Sequence, residues 1–198
     1  MEQIGHWISS ITFSIYIIYP LSRIWWFFLG GFFGWTLLGL IAVRMGKTVL
    51  WRRINGGIAA LYMALLLYMT VVSRGVTSHP GVMLRPLYSF HLARTENPEY
   101  YREMLMNVLL FFPLGLTLPF GLSARRFPVL KALGAGMLLS ICIETLQYVF
   151  SLGLTETDDV IMNTLGVLAG SAAYGIVSAV EKHRKLQREH RQDDLHGN

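Results

Sequence analysis

Residues 138–173 read LLSICIETLQYVFSLGLTETDDVIMNTLGVLAGSAA. Two apolar runs, each read as a helix, flank an acidic turn, Glu156-Thr157-Asp158-Asp159. Inside the first run, Glu144 and Gln147 stand three positions apart, so helical geometry puts both on one face. In the second, Asn163 follows Asp159 by four positions and shares its face. Two neighbouring helices can therefore each present a carboxylate and an amide towards a common point. An acidic group near a bilayer centre costs roughly 2.5–3.5 kcal/mol on insertion scales, so Glu144 is expected to have a partner. Taken singly, these groups read equally well as hydrogen bonds between helices. Taken as a set, they point to a functional site.

Composition places the chain in a membrane before any motif is read. It is 53% hydrophobic and 15% charged, against about 45–50% and about 25% for soluble domains. Its mean hydropathy is +0.45. The length of 198 residues accommodates one compact bundle of several spans and no second folded domain. The single Cys142 excludes an intrachain disulfide and a cysteine zinc cage, and reads as a small packed residue. A net charge of +5 in such a chain reports loop bias and orientation, not nucleic-acid binding.

Going outward from the opening stretch, residues 24–43 form a strong span. Trp25 and Trp26 suit an interfacial belt there, and Gly30 and Gly34 permit close helix contact. Residues 56–73, 101–122, 132–150 and 160–180 are further spans, with Gly166 and Gly170 as a second close-packing pair. Pro113 should bend its helix unless neighbours serve the carbonyl it frees. Residues 4–21 are short for a span, which needs about 20 residues, and lie either tilted across the bilayer or along its surface. No basic residue precedes them, so a secretory signal is not expected. The expected fold is all-α: a polytopic transmembrane helix bundle of about six spans, or five if the first segment is interfacial. The expected organisation is 1–55 as N-terminal membrane helices, 56–180 as the main membrane domain, and 181–198 as a basic polar tail.

Charge sets the orientation. Loops 44–55 and 123–131 carry Arg and Lys with no acid, and the tail is basic. Placing all three in the cytoplasm leaves the long 75–102 connection and the acidic turn outside, without conflict. Asn107 then lies near the outer start of its helix, and Glu144 and Gln147 in the outer half of theirs. Asp158, Asp159 and Asn163 fall at or just below the outer surface. The long loop, with Arg85, Arg94 and Arg102, is positioned to cover them. Simple packing does not require this convergence at one depth.

The residues also carry a likeness. The blocks are Tyr101-Arg-Glu-Met-Leu-Met-Asn107 through Pro113-Leu-Gly115, Ile143-Glu144-Thr-Leu-Gln147, and Thr157-Asp158-Asp159-Val-Ile-Met-Asn163-Thr-Leu-Gly166 with Gly170. With a weaker match at Leu84-Arg-Pro86-Leu, they resemble the VanZ-like family of bacterial membrane proteins over about residues 56–174. Many members carry an Arg shortly before the acidic turn, where Gly153 and its neighbours stand here. The first acid of the turn is often Asp and is Glu156 here. Any phosphate-gripping role for that Arg would fall to an Arg of the outer loop. The resemblance implies a multi-pass protein of the bacterial cell membrane, associated with low-level glycopeptide resistance, to teicoplanin above all. It supplies a phenotype and a set of positions, and leaves the chemistry to the residues.

Three functions compete. The first is a protein that binds or modulates a lipid-linked cell-wall precursor or a lipoglycopeptide through an outer-leaflet pocket. Asn107, Glu144, Gln147, Asp158, Asp159, Asn163 and Arg102 are its binding candidates. The second is an intramembrane enzyme on a lipid-linked substrate. Glu144 would be its general base, and Asp159 would hold a divalent cation with Asn163 as a further ligand. Against it, the motifs contain no His and no nucleophile–base pair, and Cys142 faces away from Glu144. The third is purely structural, with the amides bonding helices and the acidic turn capping the last one. His79 and His91 are not spaced as a metal pair and read as solvated loop residues. The sequence names no cofactor, and the expected surroundings are the lipid bilayer.

Overall fold

The computed structural model describes residues 26–77, 81–97, 99–123 and 125–196, with side chains as far as Glu189. The segment 4–21, Trp25 and His79 lie outside the described residues. The elements in order are α1 (Trp26–Arg44), α2 (Thr48–Leu67) continued by a π-helical turn (Tyr68–Val72), and β1 (Gly81–Met83). Then come α3 (Tyr88–Thr95), α4 (Glu99–Gly121), α5 (Pro128–Val149), β2 (Leu154–Glu156) and α6 (Thr157–His196). Five helices among the described residues are long and apolar enough to cross a membrane: α1, α2 with its π-helical turn, α4, α5 and α6. The protein is a multi-pass membrane helix bundle.

Between helices in lipid there is no hydrophobic drive, so close van der Waals contact must hold them. Glycine supplies it at the centre, where α4 and α6 are in extensive contact. A Cβ at Gly115 would collide with the Val167 carbonyl, and one at Gly166 with the Val108 carbonyl. One at Gly170 would strike the Phe112 carbonyl. The expected close approach at Gly166 and Gly170 is therefore present. Gly30 and Gly34 differ: among the described residues nothing lies within 4 Å of a Cβ there. It is Gly39 that meets α6, with Val177 Cγ2 3.0 Å from where its Cβ would stand. Residue spacing alone does not say which face of α1 turns inward.

α4 is the hub. Phe111, Leu114 and Leu118 bury against Ala59 and Leu66 of α2, Ile143 of α5 and Val167 of α6. On its other side, Leu116 and Phe120 join Val43, Ala173 and Val177. Pro113 and Pro119 sit inside α4 without ending it. The Tyr62 hydroxyl donates to Leu110 O at 2.8 Å, one position from the carbonyl that Pro113 leaves free. α1 is tied on by Trp35 Nε1, which donates to Oδ1 of the fully buried Asn55 at 2.9 Å. Cys142, expected to be packed, is exposed on the surface of α5. An apolar helix in lipid exposes such residues at little cost.

The two ends of the bundle differ. At one, the α1–α2 turn, the α4–α5 turn and the middle of α6 around residues 178–185 come together, and a cleft there is lined by Thr48, Arg52, Ser123, Ser178 and Lys185. The other end is not a plain loop. β1 and β2 pair in parallel, with Gly81 opposite Leu154 and Met83 opposite Glu156. The segment 75–102, read from sequence as a loop, holds β1, α3 and the start of α4. α3 buries Ser89, Leu92 and Ala93, and His91 lies exposed on it. The fold class stands, with this two-stranded ladder added to it.

Candidate functional site

Each suspected polar side chain finds a different partner. Asp158 is 2% exposed, and its oxygens accept the N–H groups of Leu87 and, at 2.7 Å, Ser89. Leu87 is left-handed at φ 60° and begins α3 with no cap of its own. Asp158 therefore caps α3 from another helix, placing a carboxylate where the first N–H groups lack partners. Glu144 Oε2 accepts the backbone N–H of Glu156 at 3.0 Å, fixing β2 over the end of α5. Gln147 Nε2 donates to Thr70 O at 3.1 Å, in the π-helical turn that ends α2. That carbonyl is among those a helix end leaves unserved. Asn163 Nδ2 donates to Ser140 Oγ at 2.8 Å, joining α6 to α5. These four residues are buried and do not line the large cleft above them.

The cleft has a volume of about 730 Å³ and opens at the strand-bearing end. Three of the expected site residues, Arg102, Asn107 and Asp159, line it. Asn107 Nδ2 donates to Asp159 Oδ1 at 2.6 Å, so α4 and α6 meet at its wall. Arg102 pairs with Glu99 one turn earlier on α4. Arg85 and Arg94, expected to cover the site, are not among its lining residues; Arg85 stacks over the Tyr88 ring at 5.1 Å.

Other lining residues were not singled out as site candidates. Arg74, just past the second described span, lines the cleft together with Asp159. A Cβ at Gly153 would stand 3.5 Å from Arg74 Nη1. The guanidinium thus occupies the space beside the turn where an arginine was missing from the sequence. Alternation of the spans already put Arg74 at the same end as the acidic turn, which is the signal that finds it. Glu103, one turn before Asn107 on α4, and Glu156 also line the cleft.

Glu156 is the joint of the site. Its backbone holds Glu144, and its Oε2 accepts the Ser89 hydroxyl at 2.9 Å. Burial pushes its carboxyl above the usual range; the Ser89 bond opposes this, while the charges of Glu103 and Asp158 add to it. The cleft therefore offers two guanidinium groups and several carboxylates within one space. Among the described residues, no group of three His, Cys, Asp or Glu side chains is placed to hold a metal ion. Asp159 and Asn163 in particular do not share a ligand position, since Asn163 lies below and bonds Ser140.

The sequence model of the VanZ/LLP1 family matches residues 59–178. Protein VanZ of Enterococcus faecium is 30% identical over 146 residues, which cover 73% of this chain and 84% of that protein. No solved structure matches the chain.

Proposed function

The chain belongs to the VanZ/LLP1 family, and from that membership we propose that its 730 Å³ cleft binds the polar head of a lipid-linked envelope component or of a lipoglycopeptide. Its contribution to the cell is low-level resistance to teicoplanin. The observation that carries this reading is the pairing of charges in the cleft. Arg74 and Arg102 suit a phosphate or carboxylate. Glu103, Glu156 and Asp159 suit amines and hydroxyls. The positive-inside rule puts the opposite, basic end in the cytoplasm, so the cleft faces outward. A ligand anchored by an acyl chain then reaches it from the outer leaflet with its tail still in lipid.

The enzyme reading asks Glu144 to meet substrate as a base. Its carboxylate is turned to the Glu156 N–H and is not part of the cleft wall, which favours binding over catalysis.

The test is teicoplanin susceptibility of a sensitive Gram-positive host expressing the chain, beside Arg74→Gln and Asp159→Asn at matched membrane levels. Protection by the wild type and its loss in both variants is the expected result. Equal protection by all three would move the function away from the cleft.

A further inference from the structure

The basic end of the bundle holds two adjoining clefts that the proposed function does not use. One, of about 200 Å³, lies between the α1–α2 turn and α6 and is lined in part by Thr48, Arg184, Lys185 and Arg188. Its neighbour, of about 420 Å³, shares Thr48 and Lys185 and adds Arg52 and Lys182. Five cations thus face one carboxylate, Glu181, which is already engaged with Lys185 at 2.9 Å. Nη1 of Arg184 is buried yet has no hydrogen-bond partner among the described residues. A desolvated guanidinium nitrogen without an acceptor is costly, and an anion on the cleft-facing side of the same guanidinium would offset its charge. The first turn of α2, which among the described residues no side chain caps, adjoins the smaller cleft at Thr48. Apolar neighbours of the lining residues are exposed: Val49 and Leu50 next to Thr48, and Leu186 next to Lys185. A soluble anion has no use for that surface, whereas an acyl chain does.

We infer that these joined clefts bind the phosphate of an anionic phospholipid, with Arg184 as its central contact. Binding of phosphatidylglycerol and of phosphatidylcholine to the purified full chain would be compared by native mass spectrometry. The variants are Arg184→Gln, the exposed Arg188→Gln, and Arg126→Gln as a charge-matched control outside the clefts. Phosphatidylglycerol is expected to bind in preference and to be undisturbed by excess inorganic phosphate. Its apparent affinity should fall about fivefold in Arg184→Gln and in Arg188→Gln, the effect of one basic residue at a lipid surface, and hold in Arg126→Gln. Three results would overturn the site: no preference over phosphatidylcholine, an equal loss in Arg126→Gln, or displacement by inorganic phosphate.

Discussion

Asn107 of α4 and Asp159 of α6 meet at 2.6 Å, although 52 positions separate them in the chain. They tie the two central helices at the wall of the cleft. Hydrogen bonds between membrane helices average about 0.6 kcal/mol and reach about 1.7 kcal/mol. A bond to a carboxylate belongs near the upper value. A double-mutant cycle with Asn107→Leu and Asp159→Leu, read from unfolding in mixed micelles, should return a coupling of about 1.5 kcal/mol. Strict additivity would show that the two side chains merely stand near each other.

Asp158 should behave differently from Asp159 despite being its neighbour. Its two bonds hold the start of α3. Asp158→Asn replaces an acceptor-only group with one that also carries donors, facing two N–H groups that need acceptors. Hydrogen exchange over α3 should accelerate strongly in this variant while the central helices keep their protection. Unchanged exchange in α3 would remove the capping role.

The helical glycines differ in what an added methyl group would meet. Gly166→Ala and Gly170→Ala would force backbone carbonyls of α4 aside, costing about 1–3 kcal/mol or more. Gly34→Ala meets nothing within 4 Å among the described residues and should be neutral or slightly stabilising through helix propensity. Thermal unfolding in one detergent compares them directly, and equal effects would contradict the packing described.

Glu156 imposes a pH dependence. Its carboxyl is raised in the folded protein, chiefly by burial, so the folded state holds the proton more tightly than the unfolded one. That stabilisation is complete below the ordinary carboxyl range, about pH 4.3, and is lost as pH rises through the higher folded value. Glu156→Gln should flatten this part of the stability profile, since the amide oxygen still accepts the Ser89 hydroxyl. Identical profiles for the two proteins would mean that the proton is bound elsewhere.

The spans were legible because twenty-residue apolar runs have few other uses. The α4–α6 contact was legible in part, through Gly166 and Gly170. Charge alone separated the basic turns from the acidic end. The polar set was legible as a group, but its division into wall and support was not. Glu144 and Asp159 look alike in sequence, yet one is turned to the Glu156 N–H and the other faces open space. That difference arises from β2, whose three residues are too short for any alternation to register. Arg74 is not legible as a site residue for a related reason: its place beside Gly153 depends on a contact between segments far apart in the chain.

The ladder and the cap at the strand-bearing end have a temporal side. β1 and α3 precede residue 96, whereas β2 and Asp158, which hold them, follow residue 153. During synthesis the ribosome delivers the first half of this cover long before the second. Residues 81–95, although Phe90 can already pack on Tyr101 of α4, must therefore wait for β2 and Asp158 until the last helix has entered the bilayer. The strand-bearing end is completed only with the final insertion step.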